Sequence, residues 1–397
     1  MSWAVEVLLN KAAVLQAKAG EGIESLRTEV DLDGRSFVLL NAGIRNKEVW
    51  FGFFPRDLLT VCLMLKEPAL MHEAIAFSVA TIGCKRDPQT GEEPGRVLHE
   101  WNRVERDGYL SHYNAVETSQ LLILAVEQYL QLAEIDCSVL SGWADGLRQA
   151  GKYLLRHIEA GLFWEDPHHC RATRYMAYAT YWKDSHLPGR RDLAYPVVYT
   201  LVQVQTVAAL RALIALESEF KLGFQAEQLE RLIAEMVRAL WKQLWDPQTN
   251  FPLIALDKGV RVSGISSDAL HMLAYLEKED VPRTKLDAIV KGARQLATPY
   301  GYRTYAPGQP GYAPDGYHLG SIWPYEQFFI AKGSLLQGLE EILDRSLGIV
   351  DGLEMYGFPE LLVWDGETLA AGGCDLQLWS AAYPQAICAL LARDLAQ

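Results

Sequence analysis

What most constrains the fold of this chain is an alternation: stretches with apolar residues at three-to-four spacing are joined by two kinds of connection, short turns and long loops. About a dozen such stretches, roughly 12 to 20 residues each, fall in the length range of globular helices. They run about 3–19, 55–66, 69–83, 113–134, 140–160, 195–217, 225–244, 264–277, 283–297, 321–333, 336–350 and 377–394. In the 113–134 stretch Val116, Leu121, Leu124, Tyr129 and Leu132 fall near one face, while Glu117, Gln120 and Gln131 are more polar. Strand signals are few: Ser36-Phe37-Val38-Leu39-Leu40 and Val260-Arg261-Val262 predict short β-hairpins on loops. The predicted fold class is therefore all-α.

Turns such as Lys66-Glu67-Pro68 join helices into pairs, and long Gly-, Pro- and aromatic-rich stretches (84–112, 161–194, 245–263, 298–320, 351–376) separate the pairs. Long connections in a compact domain are usually functional. Six helical hairpins with their long loops on one rim make an (α/α)6 barrel, a toroid with a pocket at one end. An open α-solenoid also stacks helix pairs, but it requires a repeated consensus of fixed period, which is not visible. A single domain over 1–397 is expected.

With 397 residues, half of them hydrophobic, the chain can bury a large core. Its net charge of −13, without a Lys/Arg cluster, argues against nucleic acid and against anionic membrane surfaces. A small neutral or cationic partner is expected, and a homo-oligomer is left open. Cys62, Cys84, Cys137, Cys170, Cys374 and Cys388 are scattered, as in a reduced, cytoplasmic protein. The N-terminal pattern is amphipathic rather than a charged head and an apolar run, so neither a signal peptide nor a membrane span is expected.

The long loops carry the chemistry. Trp101, Tyr109, Trp164, Tyr175, Tyr178, Tyr181, Trp182, Tyr302, Tyr305, Tyr312, Tyr317 and Trp323 lie in or beside them and offer flat faces suited to sugar rings, or serve simply to anchor the loops. Arg56, Asp57, His99, Glu100, Asn114, Lys183, His318 and Glu326 add hydrogen-bonding groups. Cleaving a glycosidic bond calls for one carboxyl to protonate the leaving oxygen and another to act on the far side of the anomeric carbon. Asp184, after Trp182-Lys183, fits the acid if the indole desolvates it and Lys183 points elsewhere; helix capping is the alternative. Glu360, after Pro359, fits a water-orienting base or a solvated loop residue. Glu326, Asp57 and Glu117 are rival bases.

His168-His169-Cys170 with Glu165-Asp166 is the densest ligand cluster, but no spaced second half accompanies it, so no metal is expected. The sequence contains neither a Gly-x-Ser-x-Gly elbow nor a phosphate loop nor a dinucleotide fingerprint, so no cofactor is expected either.

From about residue 50 onward, an ordered series of motifs resembles the amylo-α-1,6-glucosidase (glycogen debranching) family within the six-hairpin glycosidases. The series is Phe54-Pro55-Arg56-Asp57, Pro94-Gly95-Arg96-Val97-Leu98-His99-Glu100, Tyr113-Asn114-Ala115-Val116-Glu117-Thr118, Trp182-Lys183-Asp184-Ser185, Val202-Gln203-Val204-Gln205, Tyr317-His318-Leu319-Gly320-Ser321-Ile322-Trp323-Pro324, Pro359-Glu360-Leu361 and Gln377-Leu378-Trp379-Ser380-Ala381. The resemblance implies an inverting hydrolase with Asp184 as general acid and Glu360 as general base. It also implies a sugar subsite lined by Arg56, Asp57, Tyr113, Trp182, His318, Trp323 and Trp379. Inversion places the two carboxyls ~6.5–9.5 Å apart.

Glu117 stands where the family usually has Asp, and the β-rich domain that precedes the barrel in many debranching enzymes is not seen. A short α-glucoside or a glycosylated small solute is therefore the expected substrate. The alternatives are a carbohydrate-binding or regulatory barrel without catalysis, and a sugar epimerase or isomerase using rim histidines, for which His99, His112, His186 and His318 are placed.

Overall fold

The computed structural model describes residues 3–46, 48–50, 53–101, 104–132 and 137–394. The first helices are α1 (Trp3–Ser25), α2 (Pro55–Leu65), α3 (Pro68–Ala80), α4 (Thr118–Leu130) and α5 (Cys137–His157). There follow α6 (Thr200–Phe220), α7 (Ala226–Gln243), α8 (Asp268–His271) and α9 (Arg283–Ala293). The last four are α10 (Pro324–Gln337), α11 (Glu340–Leu347), α12 (Ile349–Tyr356) and α13 (Leu378–Asp394).

Local chemistry sets the turns. Lys66 ends α2 in the left-handed region, its N–H on the Cys62 carbonyl, and Glu67 then caps α3 by accepting from the N–H groups of Ala69 and Leu70. Pro55, Pro68 and Pro324 open their helices at the first turn, where a missing N–H costs nothing.

Burial sorts the helices into two layers. α6 and α10 are buried over most of their surface, whereas α7 buries Leu229, Ile233, Met236 and Leu240, a single stripe at helical spacing. Long and apolar enough to cross a membrane, α6 is instead mostly buried among the other helices. Packing contacts run from α2 to α4, α4 to α6, α6 to the α8 region, then to α10, α13 and back to α2. Against these pack α3, α5, α7, α9, α11 and α1 respectively, so the sixth pair joins the two ends of the chain, α13 and α1. The buried apolar side chains form one continuous cluster from Ala12 to Leu391.

Several helical expectations need correction. The 195–217 stretch opens as the strand Val197–Tyr199, and α6 starts only at Thr200. The 336–350 stretch is divided among the end of α10, α11 and the start of α12, and 133–134 of the 113–134 stretch lie outside the described residues. The 264–277 stretch yields only α8 followed by a 3-10 turn, Met272–Tyr275. Residues 113–117 precede α4 as loop: Tyr113 turns its hydroxyl to the Thr81 carbonyl at 3.0 Å, and Glu117 stands at the N-cap position without a side-chain capping bond.

The sheets go further than two loop hairpins. Arg35–Leu40 pairs with Arg27–Leu32, and Ala255–Asp257 is the middle strand between Val260–Val262 and Val197–Tyr199. Gly43–Arg45 is the middle strand between Glu48–Trp50 and Leu376–Gln377, and Leu361–Trp364 pairs with Leu369–Gly372. One of these sheets, through the pairing of Leu376–Gln377 with Gly43–Arg45, ties together segments from opposite ends of the chain.

Candidate active site

The inner helices begin at this rim. Arg56 and Asp57 lie in the first turn of α2, Glu117 and Trp323 immediately precede α4 and α10, Asp268 opens α8 and Trp379 stands in the first turn of α13. Between them opens a cavity of ≈ 240 Å³. Of the residues expected from sequence, Arg56, Asp57, Glu100, Trp182, Asp184, His318, Trp323, Glu360 and Trp379 line it.

Asp184 sits on an irregular loop that is pinned on both sides. Lys183 turns inward, its Nζ 2.9 Å from Asp268 Oδ1 and 2.8 Å from Ser266 Oγ. Trp182 Nε1 donates to the same Asp268 at 3.2 Å, and Ser185 Oγ lies 2.9 Å from His318 Nδ1. The cation beside Asp184 is therefore Arg56, which donates from one terminal nitrogen to Asp184 Oδ2 at 3.3 Å and from Nε to Asp57 Oδ1 at 3.2 Å. Burial pushes the Asp184 carboxyl above its ordinary range and Arg56 pulls it partly back. Its side chain keeps 32% exposure toward the cavity, so this is the push of a crowded wall rather than of dry core.

Glu360 is held by a β-hairpin. It immediately precedes Leu361–Trp364, and its backbone N–H donates to the Cys374 carbonyl at 3.0 Å, closing the open end of the ladder. The Cys374 N–H donates to Oε2 at 3.0 Å and the Tyr317 hydroxyl donates to Oε1. Burial raises this carboxyl too; the two donors oppose the rise, and the charge of Asp184 adds to it. Both carboxyls line the same cavity.

The other acids are more strongly perturbed. Burial drives Glu100 up to about 8, Glu117 to about 7 and Asp57 to about 6, each against the pull of Arg56. Burial pushes His318 and His99 well below the usual imidazole range, helped by Lys183 and Arg56 for the first and by Arg56 for the second.

Five residues placed in the substrate set lie behind the cavity wall. Tyr113 is turned to Thr81 as above, and Lys183 is paired with Asp268. Glu326 accepts from Ser267 Oγ at 2.6 Å under the floor. His99 packs edge-on against Phe54 with ring centroids 5.7 Å apart, leaving Phe54 to face the cavity. Glu117 borders a void of ≈ 10 Å³ beneath Arg56, beside Gln205, Tyr325 and Trp379.

Residues absent from the sequence-derived set complete the wall: Ala42, Arg45, Tyr317, Cys374 and Gln377, with Phe54. Tyr317 and Gln377 were visible as motif members, whereas Ala42 and Arg45 carry no motif and arrive through the strand pairing of Gly43 with Gln377. Trp182, Trp323, Tyr325 and Trp379 form a continuous aromatic floor, with Tyr325 stacked on Trp379 at 4.2 Å. Among the described residues, the group with metal-ligand spacing is Glu93, His157 and His169, and it lines no part of this cavity.

Over residues 99–348 the chain matches the family described as the mannosylglycerate hydrolase MGH1-like glycoside hydrolase domain. No curated protein matches it. Among solved structures, the GH63 mannosylglycerate hydrolase from Thermus thermophilus in complex with Tris and D-glycerate has TM-score 0.67 at 16% identity, covering 94% of this chain and 99% of that one. The same enzyme in complex with glucose gives 0.64 at 15%, covering 96% and 100%. At such identity the likeness establishes shared helical-pair architecture. Asp184 falls inside the family match, while Arg56, Asp57 and Glu360 lie outside it. The match is to the MGH1-like domain rather than specifically to glycogen debranching enzymes, within the six-hairpin glycosidases that the ordered motifs indicated. With well over half of its length in that match, the chain belongs to the mannosylglycerate hydrolase MGH1-like glycoside hydrolase family.

Proposed function

We propose that this chain is an inverting glycoside hydrolase on a closed (α/α)6 barrel, acting on a short α-glucoside or α-mannoside of a small polar solute such as glycerate. The observation that carries the reading is the pairing of Asp184 and Glu360 on one aromatic-floored cavity, each on a different loop and each held by its own partners. Asp184, raised by burial, gives its proton to the glycosidic oxygen as the C–O bond breaks. Glu360 takes a proton from the water that attacks the opposite face of the anomeric carbon. The products are the free solute and the sugar with its anomeric configuration inverted, and proton exchange with solvent resets both carboxyls.

The cavity size supports a small substrate, since ≈ 240 Å³ lies below the usual range for drug-sized ligands. Arg45, exposed on the same wall, suits an aglycone bearing a carboxylate. The return of the packing contacts from α13 to α2 supports closure of the barrel. Burial holds His99 and His318 neutral, which speaks against a histidine acid–base pair and so against an epimerase.

The test is a panel of α-mannosylglycerate, α-glucosylglycerate, glucosylglycerol, maltose, isomaltose, panose, sucrose and trehalose, with NMR reading the first anomer released. Cleavage of a small solute glycoside with release of the β-anomer is expected. Asp184→Asn and Glu360→Gln should each lower kcat about 10²–10⁴-fold with the far-UV spectrum unchanged. Release of the α-anomer would overturn inversion. Calorimetric binding without cleavage would make the barrel a sugar-binding protein.

A further inference from the structure

Glu93, on the loop after α3, meets His157 at the end of α5: Glu93 Oε2 and His157 Nε2 stand 3.0 Å apart, with the two side chains 1% and 0% exposed. His157 Nδ1 lies 2.7 Å from the Trp164 carbonyl oxygen. A carbonyl has no proton to give, so Nδ1 carries the hydrogen and the neutral ring turns a lone pair toward the Glu93 carboxylate. Two facing lone pairs at that distance require a cation between them, either a proton on His157 or a metal ion.

His169 adds a third donor beside this pair. It sits on the 3-10 turn Pro167–Cys170, its ring centroid 4.1 Å from that of His157. The ligand atoms of Glu93, His157 and His169 all lie within 4.8 Å of one another. A shared proton would involve only the first two residues, whereas a metal ion engages all three. We propose that Glu93, His157 and His169 form a site for a divalent transition-metal ion, zinc by its donor set, clipping together the loop after α3, the end of α5 and the 167–170 turn.

Three features support the assignment. Ligand atoms of a tetrahedral zinc with bonds of ~2.0–2.1 Å stand about 3.3 Å apart, close to the Glu93–His157 separation. The outer partners are those of a metal site: the Trp164 carbonyl fixes the tautomer of His157, and Arg96 steadies Glu93 Oε1 at 3.4 Å. Half-buried His169 leaves a side open to solvent for entry of the ion and for a water in the fourth position.

Charge is also accommodated. Arg96 pairs more closely with Glu165, at 2.7 Å, and Arg156, 3.9 Å from Glu93 Oε2 and 34% exposed, donates to the Pro94 carbonyl rather than to Glu93. Adjacent His168 and His169 form a poor ligand pair by themselves. The missing half of the site comes from Glu93 and His157, which are 64 residues apart in sequence. The site's loops carry Glu100 and Asp184 farther along, so the clip steadies two walls of the cavity without lining it.

The test is calorimetric titration of EDTA-stripped protein with zinc chloride at about pH 7.5, paired with thermal unfolding, in a Cys84→Ser background that removes an exposed thiol. One zinc per chain and a rise in Tm are expected. His169→Ala and Glu93→Gln should weaken binding at least tenfold and cancel most of that rise, while hydrolysis by His169→Ala stays near normal. His168→Ala, at the exposed neighbour paired with Asp166, should change neither affinity nor Tm. Absence of one-to-one binding, unchanged affinity in folded His169→Ala, or loss of binding in His168→Ala would each overturn the proposal.

Discussion

The Tyr317 hydroxyl and the Cys374 N–H occupy different oxygens of Glu360, so each opposes protonation of the same carboxyl. Removing the Tyr317 donor leaves the upward push of burial less opposed, and the Glu360 pKa rises further. A base works only when deprotonated, so Tyr317→Phe should move the acidic limb of the kcat/KM profile to higher pH. An unshifted limb would detach Tyr317 from the base. Lys183 shows the same dependence on one partner. A Trp-Lys-Asp run leaves open whether the ammonium faces the neighbouring carboxyl, and Asp268 decides it by drawing Lys183, Trp182 and Tyr181 onto its two oxygens. Asp268→Asn should cost about 3–5 kcal/mol in urea unfolding, because it strands a buried ammonium. A cost under about 1 kcal/mol would show that the ion pair is dispensable.

At the scale of elements, the hairpin of Leu361–Trp364 and Leu369–Gly372 aims the base. Gly373, just past its second strand, has φ +75°, and a Cβ there would lie 2.1 Å from Glu360 Oε2. Gly373→Ala should therefore lower kcat at least about tenfold and also cost about 1–2 kcal/mol for the left-handed backbone. Normal kcat would mean the carboxylate has room to move. The sequence shows a Gly-rich stretch at this point without showing a hairpin, because Leu369-Ala-Ala-Gly lacks the β-branched residues that signal strands. Helices were legible to within a few residues where their apolar periodicity was uninterrupted, as in α7 and α13. They failed at 113–117 and 264–277, where side chains bind distant partners, and at 195–199, where Val197–Tyr199 pairs with Ala255–Asp257 as a strand.

For the whole molecule, the buried acids dominate the pH response. Burial holds Asp57, Glu117 and Glu100 at about 6, 7 and 8 in the folded chain, whereas unfolded carboxyls titrate near 4. The folded state thus keeps protons that the unfolded state releases. The stability these protons contribute is complete below about pH 4 and is lost as pH rises through 6, 7 and 8. Urea unfolding should show stability falling between about pH 4 and 8 and levelling off above that range. Glu117→Gln should flatten the decline; an unchanged slope would assign it to other groups. The sequence alone determined the helical periodicity, the alternation of short turns with long loops, and the crowding of aromatic and acidic residues in those loops. Each of these is written in neighbouring residues, and a period of 3.6 needs nothing distant to be read. Only the tertiary structure decided that α1 pairs with α13, that Arg45 joins the cavity and that Lys183 turns away from Asp184. Those outcomes rest on contacts between segments far apart in the chain, formed when the inner helices bring their N-terminal ends to one rim.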